Sequence, residues 1–388
     1  MKNHRPLQSF SLEECRPGRT HLLLAALADP AAVVPLIAIK GESAGPLFIA
    51  VAGVHGDEFE GPQAIWEIAR DLPPSSLRGT LLALPVCNPW AFAAGLRSTP
   101  DAIDGRNLAR EFPGAADGAP TQRLAQALLA FVLAMKPALF LDLHSGGTRY
   151  MFLPVVGYRR GLGDEARSSA AARAFGLSAL WEMADHAGTF NTETARRGIT
   201  TVGVEMTGAG GCRREDVAAN RDGMLNLMRW LGMLQDQPAP QVPGPFRRTT
   251  DVLPPASGFI VPLRAVGDRV QAKDSIARIH SLSGDVAAEI EAPHAGQIWA
   301  MRHLRTIQEG EIVTTIAQLA GAEKSYLATS VGACRSVSSA WDISRRMISR
   351  TGNTSWMRPA LCPANGMYSW NRPSATAAWI SPRNSSTF

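Results

Sequence analysis

Apolar residues along positions 47–234 follow two alternating patterns. Strand-length runs that are wholly or mostly apolar occur at residues 47–52, 80–86, 138–143 and 199–204. Stretches with apolar residues at helical spacing follow at 62–70, 121–136 and 215–234. Because buried parallel strands are almost continuously apolar and their connecting helices are amphipathic, this alternation predicts an α/β layered domain.

Ionisable side chains lie where three of these predicted strands end. His55 and Glu58 follow the first strand, His144 follows the strand at 138–143, and Glu205 follows the strand at 199–204. Open α/β sheets usually bind their ligands at the carboxyl ends of their strands. The four side chains are therefore predicted to converge at one edge of the sheet.

A histidine and a carboxylate three residues apart, joined by a distant histidine, form the His₂Glu set of catalytic zinc sites. Here the set is His55, Glu58 and His144, and imidazole with carboxylate suits Zn²⁺. Asp57 and Glu60 compete for the carboxylate position, but the spacing favours Glu58 and leaves Asp57 as a supporting residue. The alternative is a chance His-x-x-Glu with ordinary polar histidines. The conjunction of several strand ends favours one zinc ion per chain.

The pattern changes after residue 236, where the predicted catalytic domain (1–236) ends. Residues 237–256 form a proline-rich linker, and residues 257–320 consist of short β-like runs punctuated by glycine. The latter predict a small all-β barrel-sandwich domain, which resembles biotinyl and lipoyl carriers. The hairpin at 284–286 reads GDV and lacks their modified lysine, so a swinging-arm role is not expected. Residues 321–388 are irregular, and weak order is predicted there, with an out-of-frame extension as a hypothesis.

Charge and composition exclude several classes of protein. Of the 388 residues, 45% are hydrophobic and 19% charged, which is typical of a globular protein. The net charge of +5 arises from residues 321–388, because the first 320 residues hold 31 Lys and Arg against 32 Asp and Glu. With no basic stripe and no apolar run of about 20 residues, neither nucleic-acid nor membrane binding is expected. Five cysteines without a C-x-x-C predict free thiols and a cytoplasmic location.

Four motifs carry a resemblance to a known family. They are residues 53–58 (GVHGDE), 106–114 (RNLAREFPG), 142–147 (DLHSGG) and 204–208 (VEMTG). Over about residues 40–235 the chain resembles the succinylglutamate desuccinylase and aspartoacylase family, and most of all its bacterial N-acetyl-2,4-diaminobutyrate deacetylase branch. The resemblance implies a zinc-carboxypeptidase-like layered domain, with a mixed sheet and helices on both faces.

The same resemblance implies roles for individual residues. Zinc would bind the three predicted ligands, and Glu205 would be the general base, with a pKa raised by desolvation. Arg110 matches the motif arginine that holds the substrate carboxylate. Arg97 is the candidate that polarises the scissile carbonyl, by its position in the loop.

One position departs from the family. The family usually has asparagine immediately before the motif arginine, and this chain has Ala109. Either Asn107 substitutes for the missing amide or the substrate is held differently. Arg106 is a further candidate for substrate binding, although Arg97 and Arg106 could both be ordinary solvated loop charges.

The predicted function is a zinc-dependent amidohydrolase that removes an acyl group, of the acetyl or succinyl type, from a small N-acylated amino acid. Two alternatives stay open: a zinc metallocarboxypeptidase and a non-catalytic metal- or ligand-binding protein. The loop at 184–194, including His186, is placed to reach the pocket. Acidic side chains from this loop or the β domain would favour a diamino product, and basic ones a dicarboxylate. A homo-oligomer is left open.

Overall fold

The computed structural model describes residues 4–237 and 240–318, and residues 18–230 contain a layered α/β unit. Its strands are β1 (Gly18–Leu27), β2 (Ala32–Lys40), β3 (Ser43–Val51), β4 (Arg78–Leu84), β5 (Leu139–Ser145), β6 (Tyr150–Phe152), β7 (Val155–Arg159), β8 (Ala179–Met183) and β9 (Thr201–Met206). Its α-helices are α1 (Glu60–Asp71), α2 (Pro89–Ala94), α3 (Pro120–Met135), α4 (Glu165–Phe175), α5 (Phe190–Arg196) and α6 (Arg214–Trp230). Every strand and helix predicted between 47 and 234 is present, with ends shifted by a few residues.

Eight strands form one mixed sheet in the order β1-β2-β4-β3-β5-β9-β7-β8. The centre is parallel, because β3 pairs with both β4 and β5, and β5 pairs with β9. Strands β2 and β7 join this centre antiparallel. Parallel neighbours end at the same edge of the sheet, so β3, β5 and β9 present their carboxyl ends side by side.

Helices cover both faces of this sheet, as predicted. One hydrophobic core lies beneath α1, α4 and α6, and the other lies beneath α3 and α5. The central strands are buried on both sides, which explains their continuous apolar sequence: Phe48, Ile49, Phe140 and Leu141 are all fully buried. This burial fixes the strand ends that carry the polar side chains.

The second part of the described chain is all-β, which confirms the prediction for its sequence. Its strands are β10 (Thr249–Val252), β11 (Gly258–Pro262), β12 (Arg269–Val270), β13 (Ser275–His280), β14 (Val286–Glu291), β15 (Gly296–Arg302), β16 (Thr306–Ile307) and β17 (Thr314–Gln318). They form two sheets, one in the order β10-β17-β15-β12 and the other in the order β14-β13-β11-β16. Side chains from the two sheets form two small apolar cores.

Strand β6 joins the two parts. It lies between β5 and β7 in sequence but pairs antiparallel with β15, where Tyr150 is opposite Arg302 and Phe152 is opposite Ala300. The guanidinium of Arg302 also lies over the Tyr150 ring, 5.4 Å from its centroid. The all-β part is therefore held against the α/β part by a shared sheet, next to the carboxyl end of β5.

Some predictions are not tested by the described residues. The domain boundaries at 236, 256 and 320 stay predictions, and residues 321–388 lie outside the part of the chain that the structure describes. Within the described part, no helix has the length and hydrophobicity that a membrane crossing requires.

Candidate active site

The turn after β3 brings His55 and Glu58 to the edge of the sheet. It begins at Gly53, whose φ of 61° is left-handed. A Cβ there would lie 2.9 Å from the carbonyl oxygen of Pro85, so only glycine fits without movement. His55 and Glu58 are each only 3% exposed. The local sequence thus folds into a tight, buried turn that fixes both side chains.

Three side chains converge as the sequence predicts. Nδ1 of His55 lies 2.7 Å from Oε1 of Glu58, and Nδ1 of His144 lies 3.0 Å from Oε2 of the same carboxylate. One ligand atom from each of the three residues lies within 4.8 Å of the others. Two imidazole nitrogens and a carboxylate this close together fit the ligand set of a zinc ion with one position left for water.

Further polar groups contact the outer nitrogens of both histidines. Nε2 of His144 lies 3.1 Å from Oδ1 of Asp142, and Nε2 of His55 lies 3.0 Å from Oδ1 of Asn107. Such contacts fix the orientation of ligand imidazoles in metal sites. Asp57 supports the turn, because its Oδ2 accepts hydrogen bonds from the amide and hydroxyl of Thr148.

The pKa values of the three side chains depart strongly from their ordinary values. Burial, with the nearby Arg97 charge, lowers the pKa of His55 to about 4. Burial alone would raise the pKa of Glu58, but His55 and His144 outweigh it and hold it well below its ordinary value. Burial alone would lower the pKa of His144. The negative charges of Asp142 and Glu58 outweigh this effect and hold the pKa well above its ordinary value. A bound metal would replace the proton on His144, because metal ligands must be deprotonated.

Glu205 lies directly beside the predicted ligands. In the parallel pairing of β5 with β9 it is opposite His144, and it lines the same cavity. Burial raises its pKa to about 8, despite the opposing charge of His144. The direction and cause agree with the expectation from sequence. A carboxyl group with a pKa near neutrality can both accept and donate a proton.

The candidate catalytic Arg97 and the three candidate substrate-binding residues do not share one location. Arg97 lines the cavity and donates from Nη1 to Oε1 of Glu58 over 2.9 Å. Arg110 also lines it, and burial lowers the pKa of its guanidinium. Arg106 is half-exposed, pairs with Glu111 at 3.1 Å and is not among the cavity-lining residues. Asn107 likewise does not line the cavity, because its side-chain oxygen is directed at His55.

A cavity of about 270 Å³ extends from these groups toward the all-β part. We call the part formed by His55, His144 and Glu205, with the buried Glu58 behind them, the inner end. The outer wall comes from two other regions of the chain. Its residues are Arg159, Trp181, Met183, Ala184, His186, Thr189 and Asn191 from the α/β part and Thr249, Asp251, Ala300, Ile312 and Thr315 from the all-β part.

No sequence motif indicates that most residues of the outer wall lie at the cavity. The loop at 184–194 and His186 reach the cavity, as the sequence suggests. Arg159 and Asp251, by contrast, are single charged residues on short strands without a motif around them. Their proximity to the inner end depends on the pairing of β7 with β9 and on the packing of the all-β part.

Comparisons with known proteins point in one direction. The profile of the Succinylglutamate desuccinylase/Aspartoacylase catalytic domain matches residues 44–231. The N-alpha-acetyl-L-2,4-diaminobutyric acid deacetylase of Halomonas elongata is 30% identical over 307 residues, which are 74% of this chain and 86% of the relative.

Solved structures agree. The product-bound ectoine utilization protein EutE (DoeB) of Ruegeria pomeroyi is 29% identical, with a TM-score of 0.71, and the match covers 80% of this chain and 98% of that one. A succinylglutamate desuccinylase/aspartoacylase of Rhodobacter sphaeroides is 28% identical, with a TM-score of 0.69 and the same coverage.

Proposed function

The chain belongs to the succinylglutamate desuccinylase/aspartoacylase family, and from this premise we propose that it is a zinc-dependent amidohydrolase that removes an acyl group from an N-acyl amino acid. One observation carries the proposal. The predicted ligands His55, Glu58 and His144 converge, and Glu205 lies beside His144 in the same cavity. A structural zinc site would usually have four protein ligands, whereas three with an adjacent carboxyl group suit hydrolysis.

The chemistry divides between the metal and the side chains. A zinc ion on the three ligands would lower the pKa of a bound water to about 7 and polarise the acyl carbonyl. Glu205 accepts the proton of the attacking water and passes it to the nitrogen of the leaving amine, so that the amide C–N bond breaks. The remaining N–H groups of Arg97 donate to the oxygen on which negative charge develops.

Charged residues that line the cavity support a substrate with both a carboxylate and an ammonium group. Arg110 provides a cation that can bind a carboxylate by its fork geometry. Asp251 is the carboxylate that the all-β part contributes to the cavity lining, and its Oδ1 accepts a hydrogen bond from Thr315. An acidic side chain in the cavity can bind an amino group of the substrate. Asp251 therefore favours a diamino product, such as the one implied by the name of the Halomonas relative.

The experiment combines metal analysis with turnover. Purified protein is assayed for zinc, cobalt and manganese, then tested on N-acetyl and N-succinyl amino acids and on peptides with a free C-terminus. We expect about one zinc per chain, turnover of N-acetyl-L-2,4-diaminobutyrate and loss of activity after chelation. Cleavage of peptides alone would favour the carboxypeptidase, and the absence of turnover on the whole panel would favour a binding protein.

A pair of variants tests the role of Glu205. Glu205→Gln is expected to lower kcat by about 10²- to 10⁴-fold while the metal content is unchanged, because only proton transfer is removed. Glu67→Gln, on the outer side of α1 where it accepts from Gln63, is the control. Retained activity in the Glu205 variant would exclude it as the base.

A further inference from the structure

Arg159 is a cation of the outer wall that has no acidic partner. Its Nε donates to Oδ1 of Asn191 over 3.0 Å, and its Nη1 donates to the carbonyl of Ala184 over 2.7 Å. Its Nη2 lies 3.5 Å from the hydroxyl oxygen of Thr189. All three acceptors are neutral, and Arg159 forms no ion pair with a carboxylate in residues 4–237 or 240–318. The guanidinium is positioned by neutral acceptors, and the carboxylates of Asp142, Glu205 and Asp185 act on its charge only from beyond ion-pair distance.

Two other arginines of low exposure show a different arrangement. Arg302, only 2% exposed, pairs with Glu311 at 2.9 Å, and Arg97 pairs with Glu58 at the same distance. Removing a charge from water without a partner is costly, so unpaired interior charges are uncommon outside functional sites. An anion that enters the cavity would provide for Arg159 the partner that Arg302 has within the chain.

The sheet directs Arg159 and Glu205 to the same face. In the antiparallel pairing of β7 with β9, Val155 is opposite Glu205 and Gly157 is opposite Gly203. Side chains two and four residues apart on a strand share a face, so Arg159 lies on the side of Glu205. Between them the paired residues are both glycines, and Gly203 lines the cavity as part of its floor.

Asn191 holds the guanidinium above this floor. A Cβ at Gly203 would lie 2.9 Å from Nδ2 of Asn191 and 3.1 Å from Cε of Met183, so the glycine makes room for this amide. The Asn191 amide in turn accepts from Nε of Arg159. The two terminal nitrogens of the guanidinium keep N–H groups for a ligand.

The motif around Arg110 has no amide side chain immediately before the arginine, where the family usually has asparagine. Ala109 occupies that position, and the side-chain oxygen of Asn107 contacts both His55 Nε2 and the backbone N–H of Ala109. Arg110 therefore faces the cavity without a neighbouring amide from its own motif. Burial lowers the pKa of Arg159 to about 10, and the charge of Arg110 contributes to that shift, so the two guanidinium groups lie within electrostatic range.

We propose that Arg159, oriented by Asn191, binds the carboxylate of the amino-acid part of the substrate together with Arg110, in place of the missing amide. The inference rests on the proposed function and adds a specificity residue to it. Two guanidinium groups that line one cavity select substrates that carry a carboxylate, because a neutral group leaves the positive charge of Arg159 without an ion-pair partner.

The test compares an acid with its neutral analogue. Binding of N-acetyl-L-2,4-diaminobutyrate and of its primary carboxamide is measured by calorimetry on the metal-loaded Glu205→Gln protein, in which no turnover is expected. The same pair is prepared for N-acetyl-L-alanine. In this background the acid is expected to bind about 10- to 100-fold more tightly than the carboxamide, and Arg159→Met is expected to abolish most of that preference. Arg159→Lys should keep only part of it, because lysine retains the charge but not the fork.

Arg160→Met is the matched control, because Arg160 is the next residue, is half-exposed and lies 3.5 Å from Glu182. It should keep the full preference for the acid. Asn191→Leu, which removes the acceptor for Nε, should weaken binding of the acid more than binding of the carboxamide. An equal loss for acid and carboxamide in both Arg159 variants would indicate a structural role and overturn the inference.

Two outcomes separate this inference from the proposed function. If the background protein binds acid and carboxamide equally, the role of Arg159 is wrong while the hydrolase proposal stands. If it binds neither member of either pair and the unmutated protein turns over no substrate of the panel, the proposed function itself fails.

Discussion

The inner end and the outer wall of the cavity are built in different ways. The inner end comes from three neighbouring parallel strands whose carboxyl ends carry His55, Glu58, His144 and Glu205. The outer wall joins β7, the loop at 184–194 and strands of the all-β part, which are far apart in sequence. The first is largely buried, and in the proposed function it carries the hydrolytic chemistry. The second carries the charges that distinguish one amide from another.

Loss of a metal ligand should have the largest effect and would break the inner end. Glu58→Gln removes the carboxylate whose two oxygens contact both histidines. We expect metal affinity to fall by more than about 100-fold, which exceeds the typical cost of losing a supporting contact, and activity to fall below detection. Metal content after dialysis and turnover measure the two effects.

Glu60→Gln is the control from the same turn. Glu60 is fully buried, and burial raises the pKa of its carboxyl group, so the neutral amide is a close substitute. This variant should keep its metal. If it lost the metal as Glu58→Gln does, the assignment of Glu58 rather than Glu60 would be wrong.

A supporting residue should have a smaller effect on the same site. Asp142→Asn leaves the ligands in place but weakens the contact that holds Nε2 of His144. Metal affinity is expected to fall by about 10- to 100-fold, as measured by competition with a chelator. Asp216→Asn, a buried carboxylate that accepts from Thr207 instead, should leave the affinity unchanged. Equal losses in both variants would indicate a general effect on folding.

These residues of the inner end could be predicted from sequence for a physical reason. A buried parallel strand can be recognised in the sequence as an apolar run, and the residues that follow it must lie at one edge of the sheet. Three such runs therefore predict, from the sequence alone, that His55, His144 and Glu205 lie close together. The contact of Asn107 with His55 could not be predicted, because it joins two loops 52 residues apart through side-chain packing.

A variant of the outer wall should alter selectivity rather than chemistry. Asp251→Asn removes the negative charge that, in our proposal, binds the ammonium group of a diamino substrate. Because Asp251 is exposed, the expected rise in KM for N-acetyl-L-2,4-diaminobutyrate is only about five-fold, with kcat and metal content unchanged. KM for N-acetyl-L-alanine should not change. Asp285→Asn, in the hairpin after β13, is the control.

The result would also test whether the inner end alone carries the chemistry and the outer wall alone carries the selectivity. A fall in kcat with Asp251→Asn would mean that the outer wall takes part in the chemistry, and an equal rise in KM for both substrates would remove its role in selection. The sequence could predict the all-β fold of this region from its glycine-punctuated runs. It could not predict that Asp251 faces the cavity, because this depends on the pairing of β6 with β15 and of β10 with β17.

Deletion of residues 321–388 should have the smallest effect, because every residue assigned to the inner end and to the outer wall lies among the described residues before 319. The last described strand, β17, is already paired on both sides, with β10 and β15. Matches that cover 80% of this chain span 98% of the Ruegeria and Rhodobacter structures. We expect kcat, KM and the melting temperature to be unchanged. The observable change should be in charge, since the segment holds 8 Lys and Arg against 2 Asp and Glu and its loss weakens binding to a cation exchanger. A fall in melting temperature of about 4 °C or more, which corresponds to roughly 1–2 kcal/mol, would show that the segment stabilises the fold.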